Sequence, residues 1–317
     1  MNIVIIGAGG IGAFYGMILH NIGCNVKFVA RHENLEYLKN NKMKITHPKY
    51  VIEDKIKTLS IDEFIENYKA EEIDLIIIAT KSMSTQYISE KLGAWVKSSS
   101  KTPYYLSLQN GVENEDIMAK YYPPEYVLGG LTRLIVSHTV SLGHVHCEGS
   151  VETLVGAINP NKQNEIFLNN LKNILDKTQT QTIICENIKK ELWTKLIVNN
   201  GVNAICALLE EESGFLLKGE NSSKIVYELM KEAALASNAV GIDLNENDAK
   251  KMFELYKGFQ SVKPSMWVDK ENNRDLELEQ ICGVVVRNCE KQGFDAPYTR
   301  TVSTVLEILY NKQRSKN

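Results

Sequence analysis

The glycine loop Gly7-Ala8-Gly9-Gly10-Ile11-Gly12 fits the pattern G-x-G-x-x-G, directly after the apolar run Asn2 to Ile6 and ahead of a helix-forming stretch, Ala13 to Asn21. In that setting the first glycine permits a tight turn, the second lets backbone approach a pyrophosphate, and the third lets the helix pack closely on the strand. The amide-rich start of the helix then faces the phosphates, so the loop, Gly10 included, is expected to bind a dinucleotide. About 20 residues further on, where an acidic residue would hold both ribose hydroxyls of NAD, the next apolar run ends in Arg31-His32. A guanidinium there forks onto a 2′-phosphate, which makes NADPH the expected cofactor. Glu33, the rival, stands where the next helix is expected to start.

Lys195, Asn199 and Asn203 recur every four residues within the segment Ile188 to Leu209. They form one polar ridge on a helix whose apolar residues point in nearly every direction. Burying such groups unpaired costs about 1–3 kcal/mol each, so something polar must meet them. A substrate-facing ridge with Lys195 as proton donor is the sharper expectation, and a solvated strip with a Glu191–Lys195 pair the plainer one. A lysine acting on a carbonyl needs a nearby carboxylate to position it and keep it charged. Glu277 and Glu279, both placed on the helix that follows Pro264-Ser265-Met266-Trp267-Val268-Asp269, are candidates that spacing alone leaves open. Thr80-Lys81 and Gln109-Asn110-Gly111 follow the carboxyl ends of two apolar runs. Ligands of open parallel sheets sit outside those ends, so Lys81 and Asn110 are expected to face the nicotinamide half of the cofactor or the substrate.

The elements that must position these groups change character along the chain. From 1 to about 186, β-branched runs (Asn2 to Ile6, Val26 to Ala30, Asp74 to Thr80, Tyr104 to Leu108, Val127 to Leu128) alternate with helix-length stretches. That alternation predicts an α/β fold with a Rossmann-type, doubly wound, mostly parallel sheet. Residues 43–59 are expected to contain its third strand and 84–97 a helix, while His144 to Cys147, Thr153 to Val155 and Gln181 to Cys185 supply further strands. From 187 to 317 the spacing turns helical over Ile188 to Leu209, Ser223 to Val240, Glu246 to Gln260, Arg274 to Lys291 and Thr299 to Asn311. An all-helical second domain is expected, with Gly241 and Gly293 as left-handed caps.

Lys and Arg number 36 against 39 Asp and Glu in 317 residues, a net charge of -3, which leaves no drive towards nucleic acid or anionic lipid. The unbroken apolar runs are strand-sized, far short of the ~20 residues of a membrane span. The amino terminus lacks a basic leading segment, so a cytoplasmic location is expected. The cysteines at 24, 147, 185, 206, 282 and 289 form no C-x-x-C pair and are expected to be reduced, mostly buried thiols with no metal site.

Taken in order, these motifs resemble the ketopantoate reductase family, also called 2-dehydropantoate 2-reductases. The likeness runs through Gly7 to Gly12, Arg31, Thr80-Lys81, Leu108 to Gly111, Gly129-Gly130, Glu191 to Asn199, Pro264 to Met266, Asp269 and Arg274 to Gly283. The resemblance implies NADPH-dependent reduction of the 2-keto group of ketopantoate to pantoate, on the route to coenzyme A. It places the catalytic lysine at Lys195 and the family's glutamate at Glu277, which also reaches the cofactor. Asn110, Asn199, Asn203 and Ser265 fall on substrate contacts, and Gly7, Gly9, Gly10, Gly12, Arg31, Lys81 and Asn110 on cofactor contacts. The usual Gly-Arg before the glutamate is Asn273-Arg274 here, and the usual Thr-Glu-Ile-Asp is Leu276 to Glu279. The implied partner is a small 2-keto acid, with a homodimer as a possible assembly. Another 2-keto acid substrate, a 3-hydroxyacid dehydrogenase activity and an NADPH-binding sensor are the alternatives.

Overall fold

Apolar runs without alternation, such as Leu75 to Ile78, form strands covered on both faces, and they build the centre of the molecule's main sheet. The computed structural model describes residues 1–317 except Ser98, Gln179, Gln260, Lys316 and Asn317. The chain divides into one unit of Met1–Gln109 and Glu113–Ile188 and another of Asn110–Val112 and Lys189–Asn317.

The first unit runs β1 (Asn2–Ile6), α1 (Gly10–Asn21), β2 (Asn25–Val29), α2 (His32–Asn40), β3 (Met43–His47), β4 (Tyr50–Asp54), β5 (Thr58–Leu59), α3 (Ile61–Asn67), β6 (Leu75–Ile78) and α4 (Thr85–Val96). It continues with β7 (Tyr104–Ser107), α5 (Asn114–Met118), β8 (Val127–Arg133), β9 (Val136–Ser141), β10 (His144–Glu148), β11 (Val151–Ala157), α6 (Lys162–Leu175) and β12 (Thr180–Ile184). The main sheet has the order β12-β11-β8-β7-β6-β1-β2-β5. It is parallel from β5 through β8, while β11 runs antiparallel to β8 and parallel to β12. This is the doubly wound architecture that the alternation predicts. Successive residues of β1 serve opposite layers: Ile3 and Ile5 pack with Phe14, Phe28 and Leu106, whereas Val4 and Ile6 pack with Val29, Ile76 and Phe64.

The stretch 43–59 departs from expectation. Only Thr58–Leu59 joins the main sheet as its third strand, and the rest forms the antiparallel β3–β4 hairpin of a separate sheet ordered β4-β3-β10-β9. The residues explain this. Met43 and Ile45 are buried while Lys44 and Thr46 are only half-buried, a one-sided pattern that cannot sit between two helical layers. The predicted strand at His144 to Cys147 belongs to this second sheet as β10, paired with β3, and the sheet packs on α1. Gln181 to Cys185 and Thr153 to Val155 fall in the main sheet, at its edge.

The second unit is all-helical: α7 (Ile188–Leu209), α8 (Ser213–Lys218), α9 (Glu220–Ala236), α10 (Glu246–Lys257), α11 (Ser265–Glu271), α12 (Val284–Lys291) and α13 (Pro297–Arg314). Gly241 and Gly293 take left-handed φ values of 75° and 83° after the helical segments they close. The last residue of the predicted helix 246–260 lies outside the described residues. The predicted helix 274–291 starts only at Leu278, because Asn273 takes a left-handed φ of 53° and the chain stays non-helical through Glu277. Glu277 therefore precedes the helix, its carbonyl accepting from the Ile281 amide at 3.0 Å. The first turns, Glu279–Gly283, are π-helical before α12 begins.

Among the described residues α7 is the helix long and apolar enough to cross a membrane by composition, with a mean hydropathy of 1.2, yet 67% of that window is buried within the protein. Five cysteines are buried and Cys185 is half-buried, all as free thiols. Burial pushes the thiols of Cys206, Cys282 and Cys289 up to about 12.

One buried carboxylate fastens the carboxyl-terminal helix. Glu232 of α9 accepts from the backbone amides of Tyr298 (2.9 Å) and Thr299 (2.7 Å) in the first turn of α13. Burial pushes its carboxyl upward and those hydrogen bonds pull it back. Glu232→Ala removes this cap and leaves the Thr299 amide buried without its acceptor. Denaturant unfolding should show a loss of about 1–3 kcal/mol.

Candidate active site

In the first unit the carboxyl ends of the central parallel strands are level, since Ile6 lies opposite both Val29 and Ile78, and Ile78 lies opposite Ser107. Gly7 follows β1, Arg31 lies just past β2, Thr80-Lys81 past β6 and Gln109-Asn110 past β7. With the strand order β7-β6-β1-β2, the sheet edge reads Asn110, Lys81, glycine loop, Arg31. At ~4.8 Å between strands, those carrying Arg31 and Lys81 stand about 10 Å apart, on opposite sides of the glycine loop. The chain leaves β1 towards β2 and later returns on the other side as β6. This reversal of strand order is where open α/β sheets hold their ligands.

The four glycines do different work. Gly7 has a φ of +110°, and an added Cβ would lie 2.8 Å from the Ala79 carbonyl oxygen. At Gly12 an added Cβ would run into the Gly7 carbonyl, so helix and strand meet with no room for a side chain. Gly9, the N-cap of α1, has open space where its side chain would be. Gly10 instead packs against β9, its absent Cβ falling 2.6 Å from Ser137 Oγ. The first turn of α1 contains no acidic residue. Open backbone at Gly9 with helix-start amides behind it fits a pyrophosphate. Arg31 is exposed and is the N-cap of α2, with Glu33 inside that helix.

Sequence reasoning passed over the residue that ties this edge together. Gln109 is 3% exposed. Its amide nitrogen donates to Thr80 O (3.1 Å), Thr80 Oγ1 (3.2 Å) and Lys81 O (3.4 Å). Its amide oxygen accepts from Thr85 Oγ1 (3.2 Å) and Ser107 Oγ (3.4 Å). Gln109 thus locks the turn carrying Lys81 to the end of β7, one residue before Asn110. The available signal was its polar side chain two residues after the end of the wholly buried strand Tyr104–Ser107.

In the second unit α7 is buried on most sides, with Leu192, Trp193, Leu196, Ile197, Val202 and Ile205 at most 4% exposed. Lys195 and Asn199 are half-buried on its polar ridge, and Asn203 is 5% exposed. Asn200, unremarked in the sequence, is fully buried and donates to Leu229 O (2.8 Å) and Thr299 Oγ1 (2.9 Å), holding α7 to α9 and α13. Ser265 is exposed at the first position of α11. That helix is anchored by Lys270, another residue the sequence did not flag. Its buried ammonium donates to Ala207 O (2.9 Å) near the end of α7 and to Glu210 Oε1 (2.8 Å). Asp269 is buried, 3.5 Å from the Arg274 guanidinium. Glu277 is 4% exposed at the N-terminal side of the π-helical turn, and both it and Lys195 are engaged by neighbouring groups. Glu279 is exposed and pairs with Arg287. Of the two carboxylates left open by spacing, the buried one is Glu277.

Family models of ketopantoate reductase PanE/ApbA match the chain over residues 3–160, and over residues 187–309 for its C-terminal part. A 2-dehydropantoate 2-reductase of Streptococcus pyogenes is 27% identical, covering 100% of this chain and 99% of that protein. One from Pyrococcus abyssi is 27% identical over 94% of each. Among solved structures, 2-dehydropantoate 2-reductase from Geobacter metallireducens has a TM-score of 0.82 at 25% identity, covering 98% of this chain and 100% of that one. D-mandelate dehydrogenase with NADH and anilino(oxo)acetate has a TM-score of 0.89 at 24% identity, covering 98% and 99%. That second likeness is one of fold.

Gln109→Ala removes the donors that hold the Thr80-Lys81 turn. Losing hydrogen bonds worth about 1–1.5 kcal/mol in cofactor positioning corresponds to roughly tenfold weaker binding. Titration of nicotinamide fluorescence should show that loss in a variant that remains folded by circular dichroism.

Proposed function

The chain belongs to the ketopantoate reductase family, a family of oxidoreductases, and we propose that it reduces the 2-keto group of ketopantoate (2-dehydropantoate) to pantoate with NADPH. The reaction would serve pantothenate and coenzyme A biosynthesis in the cytoplasm. The observation that carries this reading is the ridge of Lys195, Asn199 and Asn203 on a helix otherwise given over to the core.

The residues present fit the cofactor. Gly9 leaves open backbone for the pyrophosphate, Gly7, Gly10 and Gly12 shape the turn and helix start around it, and Arg31, two residues past β2, offers a fork to a 2′-phosphate. Lys81 and Asn110 stand on the other side of the loop, where the nicotinamide half would lie. When bound, NADPH supplies the hydride. Lys195, as ammonium, donates a hydrogen bond to the substrate's keto oxygen and then its proton to the alkoxide, stabilising the charge that develops there. Glu277, with its carboxylate withdrawn from water, keeps the lysine charged and oriented and borders the cofactor. Asn110, Asn199, Asn203 and Ser265 bind the substrate's carboxylate and hydroxyl, which sets the keto carbon in place. Arg31 favours NADPH over NADH, even though a structural relative is described with NADH. Following NADPH absorbance across a panel of 2-keto acids, ketopantoate and an aryl 2-keto acid included, tests the substrate. Faster turnover of the aryl acid would reassign it.

Arg31→Ala should raise the KM for NADPH about tenfold or more, the worth of a charge-assisted hydrogen bond, and leave that for NADH nearly unchanged. Equal losses for both cofactors would show that Arg31 is structural. Lys195→Ala should cut kcat by about 10²- to 10⁴-fold while NADPH still binds. A folded Lys195→Ala enzyme working within a few-fold of the wild-type rate would sink the proposed chemistry.

A further inference from the structure

The first unit carries a second gathering of positive charge, away from the glycine loop. Lys27, in the middle of β2, lies opposite Val4 of β1, on the face of the sheet that Phe64 of α3 covers. It is only 8% exposed, and its ammonium makes one hydrogen bond, a long one of 3.3 Å to the Asn25 amide oxygen. Lys27 Nζ stands 5.0 Å from the centre of the Tyr68 ring, and Nζ of Lys57, the exposed residue just before β5, stands 5.2 Å from the same centre. Tyr68 itself is held firmly. It closes α3, its ring stacks on Phe64 with centroids 5.7 Å apart, and its carbonyl accepts from the Trp95 indole at 2.9 Å.

Among the described residues neither lysine has a carboxylate within ion-pair distance, and most acids of α3 and of the turn after it are engaged elsewhere. Asp62 holds Lys91, Glu63 holds Lys39, Glu71 accepts from the Ser100 amide and Glu72 from the Lys69 amide. The chain therefore keeps a nine-tenths-buried ammonium near a second one, with the face of one phenol ring as their shared negative charge. Burying an ammonium without an anion is unfavourable, and a like charge nearby adds to the cost. An apolar residue at position 27 would suit β2 better, since Val26, Phe28 and Val29 are all buried. We propose that Lys27 and Lys57 form a binding site for a phosphate group, with Tyr68 as its floor. Two ammoniums match the charge of a doubly ionised oxyanion and approach it as point charges on flexible stems. The Tyr68 hydroxyl, which bonds no protein group among the described residues, is a further donor to it. The site is separate from the cofactor edge, because Lys27 precedes Arg31 by four residues, roughly 13 Å along an extended strand.

Phosphorus NMR of inorganic phosphate titrated into the full chain, in chloride buffer at constant ionic strength, is the test. The wild-type protein should broaden and shift the phosphate resonance, saturating in the millimolar range. Lys27→Met and Lys57→Gln should each weaken that binding about tenfold or more. Lys57→Gln changes an exposed position and carries the test even where Lys27→Met folds poorly. Glycerol 3-phosphate is the second probe: binding tighter than that of the free ion assigns the site to a phosphate monoester, equal binding assigns it to the ion, and both uphold it. Unfolding in urea gives an independent reading, because a ligand bound to the folded chain raises its midpoint. Phosphate should raise the midpoint of the wild-type protein more than that of either variant, above the general salting effect common to all three. The proposal is overturned if the wild-type protein binds no phosphate, or if binding and the rise in midpoint persist undiminished in Lys57→Gln, which would place the ion elsewhere on the chain.

Discussion

The Gly12–Gly7 approach is the contact on which the nucleotide-binding unit depends. Helix α1 comes down on strand β1 so closely that a single Cβ at Gly12 would strike the Gly7 carbonyl, while Gly7 itself is pressed on Ala79 at the end of β6. Three neighbouring elements are thereby fixed at one point. The amide-bearing start of α1 is held over the level ends of β2, β6 and β7, and the positions of Arg31, Lys81 and Asn110 follow from strand spacing. The close approach replaces what a loop of larger residues would have to achieve by side-chain packing, and it leaves Gly9 as the open position.

The helical unit answers a different problem, which is how to keep polar groups on a helix that also forms the core. α7 manages this by segregation: its apolar residues are buried, Asn200 donates to acceptors on α9 and α13, and the polar ridge is confined to one four-residue repeat. Lys270 adds a buried cation whose charge is met by the Ala207 carbonyl and the Glu210 carboxylate. These polar contacts are directional where apolar packing is not. They fix the rotation of α7 about its own axis and the placement of α11 along it.

Much of this was legible in the order of residues. Runs such as Leu75 to Ile78 announce two-sided burial, and the glycine loop announces its turn because few sequences put three glycines at that spacing after a strand. The helical period of 188–209 survives burial because the segment is long. What was not legible depends on partners distant in sequence. The stretch 43–59 contains strand-forming residues, but its membership of a second sheet is decided by pairing with residues near 145, and short strands carry no label for their partner. Gln109 looks like turn polarity until Thr80, Thr85 and Ser107 are gathered around it. The late start of the helix after Glu277 turns on one left-handed residue, Asn273, in a stretch whose periodicity reads as helix.

The π-helical segment at Glu279–Gly283 carries a bookkeeping of its own. A π-turn accommodates one more residue than an α-turn over the same rise, so everything upstream is rotated by about 100° relative to an uninterrupted helix. Glu277 stands one residue ahead of Leu278, where the helical segment begins, so its place is coupled to that extra residue. A single deletion in this segment would let α12 start as ordinary helix and shift where the chain leading from Glu277 enters it. One codon gained or lost here therefore alters the entry into α12 while leaving the sequence of α12 intact, a route to divergence that composition does not reveal.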